Sequence, residues 1–402
     1  SAYDELKDNL DPMRSLLTKL KLRPDIMAKV LYLIPAEETK HNLLYSLINF
    51  FYEDFFSNAA NIQINFSLFF YYMVKYEFQN KFTDSFGKYF SSESLGCFFI
   101  NEYIYKSDVD KYLHYVHSEI LKEVANIDYK LVFSLKEVKE KIEADKVILS
   151  ESKEQLEANK YDMNLFVSNF RSNNRADFIK ETKEKFIVTE EFLTKALQNE
   201  QNEYMKLYLE DKLQEMKKEE NLYGTLDVIQ TISAEEQNEQ IFIYFYTTYT
   251  FLKNTFKAMY RILNSSLVIM PTSLRYFCKI LAQIYMTYAK PKKDEKYKII
   301  CRNQVLGKFL FTKLLKIYRQ KVFLSSIGDA RLCHNFDLIF KMFTKLSKQN
   351  FYLRNSLEEQ SEFLIVNSIF IEALPDAYEF YENLLKTHAL KETGELNYEK
   401  GA

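Results

Sequence analysis

In a chain of 402 residues with a formal net charge of −2, the near balance of charge excludes a generally basic nucleic-acid binder, and a 47% hydrophobic content excludes an intrinsically disordered chain. Seven glycines and six prolines are too few to punctuate a strand-rich fold, so the expectation is an all-α protein of long helices and few, polar connections. Its core material is aromatic and aliphatic, with 34 Phe, 30 Tyr and no Trp.

The N-terminal "SAYDELKDNL" is charged at once and lacks the apolar region of a secretion signal. Up to about Tyr129 apolar helical segments alternate with short breaks. Pro24 in "KLRPDI" and Pro35 in "LIPAEETKHN" fall between segments, because proline cannot continue a preceding helix. The uncharged run "SNAANIQINFSLFFYYMV" (Ser57–Val74) carries three Asn, a Gln and two Ser, too polar for a membrane span. "IFIYFYTTYTFL" (Ile241–Leu252) is too short for one. Both read as buried core helices.

From Ser134 to Leu222 the sequence turns Lys/Glu-rich. Leu135, Ile142, Leu149 and Leu156 recur every seven residues, a thin seam suited to a helix with one dry edge, and "SNFRSNNRAD" (Ser168–Asp177) breaks the pattern. The expectation is a projecting antiparallel hairpin of solvated arms, with a plain charged spacer as the alternative. After Gly224 the aromatic character returns and runs through Tyr381, with breaks at Pro271, Pro291, Gly328 and Pro375. The expected organisation is therefore 1–133 as a first aromatic half, 134–222 as the inserted hairpin, 223–388 as the second half and 389–402 as a frayed tail.

Catalytic chemistry is scarce. There is no GxxxxGK[ST] loop and no GxGxxG, so the chain is not expected to bind a nucleotide itself, and no GxSxG elbow is present. Cys97, Cys278, Cys301 and Cys333 are widely spaced in apolar helical contexts, neither a disulfide framework nor a zinc pattern, and read as reduced core residues. His114 and His117 lie three apart on a helix, a spacing that could present two metal ligands; with no Cys or third His nearby, surface or stacking histidines are the better reading. No metal or cofactor is expected.

The strongest anomaly is charge. Eleven basic residues (Lys290, Lys292, Lys293, Lys296, Lys298, Arg302, Lys308, Lys313, Lys316, Arg319 and Lys321) stand against Asp294 and Glu295, a net of +9, which leaves −11 for the rest of the chain. Such a segment, if it forms one surface, attracts an acidic protein, a phosphate-bearing partner or an anionic lipid; a solvated helix face is the plain alternative.

"IMPTSLRYFCKILAQIY" resembles the LPxxLR segment of Ras GTPase-activating (RasGAP-fold) domains, with Pro271, Leu274 and Arg275 matching. Proline suits a first helical turn because it has no N–H to leave unpaired. Further segments are similar to the family in the same order. "LFFYYMVKYEFQNKF" (Leu68–Phe82) resembles the "LF…L…E" helix of IQGAP-type members, and "YFSSESLGCFFINEYI" (Tyr89–Ile104) takes the place of the finger loop. "GKFLFTKLL" (Gly307–Leu315) resembles the FLFLRF helix, and "ARLCHNFDLIFKMFTKLSKQNFY" (Ala330–Tyr352) resembles the "R.NL..IAK.L" helix. "ALPDAYEFYENLL" (Ala373–Leu385) is similar to the closing segment of IQGAP GAP-related domains.

Active members carry F-[LF]-R-G-N-[ST]-L-A in the finger loop, and its arginine enters the GTPase site, worth about 10³–10⁵ in rate. Aligned on Ser94 and Leu95, that arginine falls at Ser91, whose short neutral hydroxyl cannot replace a guanidinium. The bracing arginine of the second signature falls at Lys313, and the NPA that follows it at Lys316, Ile317 and Tyr318. The resemblance thus implies a non-catalytic GAP-related domain of an IQGAP-like scaffold, cytoplasmic and cytoskeleton- or cortex-associated, that binds a Ras/Rho-type small GTPase in its GTP state without stimulating hydrolysis. Its implied groove is lined by Ser91, Ser94, Leu95, Arg275, Lys313, Lys316, Arg331 and Asn335, with the basic segment meeting the partner's acidic side, or cytoskeletal proteins, or anionic lipid. Two alternatives stay open: a helical cytoskeletal adaptor that has lost GTPase binding, and an active GTPase activator with a non-standard finger, Arg171 or Arg175.

Overall fold

The computed structural model describes residues 15–16, 19–20, 22–35, 37–51, 60–82, 89–90, 94–105, 107–127, 129–133, 136–141, 188–219, 222, 237–289, 295–348, 351 and 366–386. Of these, 84% are helical and none is in a strand, so the protein is all-α. The helices are α1 (Pro24–Leu33), α2 (Glu37–Phe51), α3 (Ala60–Glu77), α4 (Leu95–Tyr103), α5 (Ser107–Val124), α6 (Glu190–Asn199), α7 (Glu203–Lys218), α8 (Gln237–Ser266), α9 (Thr272–Tyr288), α10 (Tyr297–Gly307), α11 (Leu315–Tyr318), α12 (Ala330–Ser347), α13 (Asn367–Glu372) and α14 (Leu374–Leu385). Three π-helical turns, Phe78–Phe82, Lys308–Leu314 and Arg319–Phe323, extend α3, α10 and α11.

The chain forms two compact units, each assembled from separated stretches. The first comprises Ser1–Ile120, Arg261–Ile327 and Tyr378–Ala402; the second comprises Leu121–Tyr260 and Gly328–Ala377. These divisions fall elsewhere than the expected 133/134, 222/223 and 388/389. Three of them lie inside α5, α8 and α14, where a helix continues without any change of composition, and the fourth falls at Ile327/Gly328, one of the breaks read from the sequence.

In the first unit α3 packs against α1, α4 and α9. Phe70, Phe99 and Phe277 from three different helices meet with ring centroids 4.3–5.3 Å apart, tilted or edge-on, as quadrupolar rings prefer. Phe69, Tyr71, Met73 and Val74 are buried, so the described part of the Ser57–Val74 run is core helix. Among the described residues no helix is long and apolar enough to cross a membrane.

The second unit gathers Phe256, Tyr260, Phe343 and Phe370 in one aromatic cluster. It also holds α6 and α7, which changes the reading of the Lys/Glu-rich segment. The two helices pack together across a three-residue connection, Glu200–Asn202. Thr189 caps α6 and Asn202 caps α7, and Leu193, Tyr208, Leu209 and Met216 are buried, with the Tyr208 ring 6.2 Å from Phe351. The 188–219 part is thus a packed helix pair rather than a solvated arm, since its apolar residues fall at 3.6-residue spacing behind a charged face. The heptad positions Leu135, Ile142, Leu149 and Leu156, the break at Ser168–Asp177 and the tail 389–402 lie outside the described residues.

Candidate functional site

The segments likened to the finger loop and its brace come together in the first unit. Ser94 caps α4, its hydroxyl accepting from Cys97 N at 3.2 Å and donating to Tyr89 O at 3.2 Å. Leu95 is buried. Beneath them lies Glu77, only 4% exposed. Its Oε1 accepts from Leu95 N at 2.8 Å, and its Oε2 accepts from the Tyr89 hydroxyl at 2.7 Å and from Gly96 N at 3.4 Å. The carboxylate therefore satisfies the unpaired donors that open α4, where the helix dipole also favours negative charge. Gly96 is required by close approach: a Cβ there would stand 2.3 Å from the Tyr89 hydroxyl.

Lys313 reaches this structure from the Lys308–Leu314 π turn. Burial pushes the Cys97 thiol above its ordinary value, and the Ser94 hydroxyl and the Lys313 ammonium beside it pull the other way. Phe90 and Phe309 add a ring contact at 6.0 Å. A lysine here approaches as a single point charge, without the planar fork an arginine would bring. Ser91 lies outside the described residues. Glu77 is the residue whose role sequence reasoning missed: it sat inside a segment quoted for its resemblance, but its partners lie 12 to 19 positions away.

Arg275 answers for the Pro271 segment differently. Pro271 stands just before α9, and the Arg275 guanidinium turns back to donate to Leu267 O at 2.8 Å, closing the turn that follows α8. Its Nε is buried and makes no hydrogen bond. Lys316 is exposed on α11.

Arg331 and Asn335 belong to the second unit. Arg331 faces its own N-cap residue, Asp329, at 3.3 Å. Asn335 is fully buried, with Oδ1 accepting from Leu131 N at 2.8 Å and Nδ2 donating to Tyr129 O at 2.9 Å. Its amide is committed to holding the 129–133 segment. N335A is expected to cost about 2–3 kcal/mol, because it strands one buried donor and one buried acceptor; urea unfolding measures it.

The basic segment does not form one uniform surface. Lys296, Lys316 and Lys321 are exposed, but Lys298 is 7% and Arg319 1% exposed. Arg302 is turned toward Glu382 and Asn303. Arg319 follows the Lys308–Leu314 π turn, whose wider turn shifts the residues after it off the 3.6-residue period, whereas Lys298 and Arg302 precede both this π turn and the Arg319–Phe323 one and lie on α10 itself. Lys290, Lys292 and Lys293 lie outside the described residues.

His114 and His117 both pack on Phe323, at 5.6 and 5.1 Å. The buried His117 ring has Nδ1 at 2.7 Å from Leu113 O and Nε2 at 3.3 Å from Leu315 O. Among the described residues no group of three or more His, Cys, Asp or Glu side chains gathers as a metal site. The four cysteines are free, Cys97 and Cys278 buried.

The sequence matches no protein-family model and no curated protein. The likeness to RasGAP-fold domains accordingly rests on the residues quoted for it.

Proposed function

We propose that this chain is a non-catalytic GAP-related domain that binds the GTP form of a Ras/Rho-type small GTPase and leaves its hydrolysis unstimulated. The observation that carries the reading is the pairing of the Ser94–Cys97 helix start with Lys313, the two segments that the resemblance likens to finger loop and brace. Two sequence facts support the non-catalytic half. Ser91 occupies the aligned finger position, and no arginine occurs between Arg23 and Arg171, so the neighbouring stretch has no replacement to offer. A guanidinium is needed there because it neutralises charge spread over transferring phosphoryl oxygens. Within the proposed groove Lys313 and Lys316 supply positive charge, while Ser94 and Glu77 shape the loop.

The test is single-turnover GTP hydrolysis by a panel of Ras- and Rho-type GTPases with this protein in excess, with binding read in the same samples. GTP-dependent binding with hydrolysis unchanged or slowed is the expected result, weakened at least tenfold by K313E/K316E. Accelerated hydrolysis overturns the non-catalytic reading, and indifference to nucleotide or absence of binding leaves a helical adaptor in its place.

A further inference from the structure

The turn between α8 and α9 presents two β-branched apolar side chains to solvent: Val268 is 90% exposed and Ile269 54%. They do not sit on a loose loop. Leu267 and Met270 on either side are buried, Ile269 N donates to Ser266 O at 3.1 Å, and Arg275 holds Leu267 O from below. The Ser266 hydroxyl bonds the buried Tyr112 hydroxyl at 3.1 Å. The fold thus fixes an apolar point that a water-facing turn has no physical reason to carry.

The surroundings are positive. No Asp or Glu occurs between Glu239 and Asp294, and the turn sits in the middle of that acid-free run. Arg261 is exposed within the last two turns of α8, and Lys279 is half-buried on α9. Lys386 is exposed and is brought in from the end of α14, donating to Asn383, whose amide bonds Asn264 at 3.2 Å. Of the acidic residues on α14, Asp376 lies in its first turn, Glu379 stands one turn back from Asn383, and Glu382 is turned to Arg302.

We propose that the Val268–Ile269 turn is a membrane-docking tip, seating the protein on an anionic lipid surface with these two side chains among the acyl chains and Arg261 and Lys386 at the headgroups. A turn bearing two small aliphatic side chains fits a soft planar surface, and the exposed cations Arg261 and Lys386 favour a negative one. Two weak signals, one apolar and one electrostatic, together give reversible peripheral binding. The proposal does not depend on GTPase binding.

Flotation of the full chain with vesicles of phosphatidylcholine, alone or with about a third phosphatidylserine, tests it. Recovery with the anionic vesicles only, falling at high salt, is expected, and V268S/I269S and R261E are each expected to lower it at least tenfold while circular-dichroism melts stay unchanged. Failure of the wild-type chain to float overturns the proposal and leaves the tip to a protein pocket. Undiminished flotation of V268S/I269S also overturns it, and moves lipid binding to the Lys290–Lys321 segment.

Discussion

E77A should lower the unfolding free energy by about 3–5 kcal/mol, the cost of stranding several buried donors at once. The side chain is the common acceptor for the Tyr89 hydroxyl and for the first two N–H groups of α4. Truncation leaves all three without that acceptor and opens a void beneath the Ser94 cap. E77Q separates the two effects. It keeps the shape and one acceptor, and the Tyr89 hydroxyl can reverse to accept from the new amide, so a smaller cost of about 1–2 kcal/mol is expected. Urea unfolding of the two variants beside wild type gives both numbers. If E77A unfolds at the wild-type midpoint, the loop before α4 is held by something other than Glu77. The same variant should weaken GTPase binding, if the Ser94 loop lines the groove as proposed, even below the temperature at which it unfolds.

Acid should unfold the protein in a way that H117F does not share. Burial holds the His117 imidazole down at about 4, against an ordinary 6.5, outweighing the two carbonyl oxygens that favour its charged form. The sign follows from proton uptake. Between pH 6.5 and 4 the unfolded chain binds a proton at this ring and the folded chain does not, so lowering pH through that window favours unfolding. The loss is complete below about pH 4 and is on the order of 3 kcal/mol, from 1.36 kcal/mol for each unit of difference. The ring is also enclosed by Tyr318 and Phe323, with the Arg319 charge and His114 nearby opposing protonation. Urea unfolding at neutral pH and near pH 4.5 should show a steep fall for wild type. In H117F the same interval should be markedly shallower, although the variant loses the ring's hydrogen bonding to the Leu113 and Leu315 carbonyls and starts from a lower stability. Equal slopes would place the acid sensitivity on other groups.

Recognising the described helices needed little beyond the sequence. The scarcity of Gly and Pro, the aromatic periodicity and Pro271 were enough to give an all-α protein and to start α9 within a residue. Such signals are local: a helix satisfies its own backbone, and its apolar stripe repeats within a few turns. What the sequence left open depends on residues far apart in the chain. Glu77 looked like one glutamate among many until Tyr89 and the start of α4 folded over it, and Asn335 looked like a groove residue until residues 129–131 occupied both ends of its amide. Arg319 counted as surface charge because only the run of basic residues was read, whereas it opens the Arg319–Phe323 π turn with its side chain buried. By itself, then, the sequence determined helical class and aromatic core. Only the tertiary structure decided which charges are buried, which polar groups serve the fold and where Lys313 meets the Ser94 helix start, because burial and pairing are set by distances in space that chain spacing does not encode.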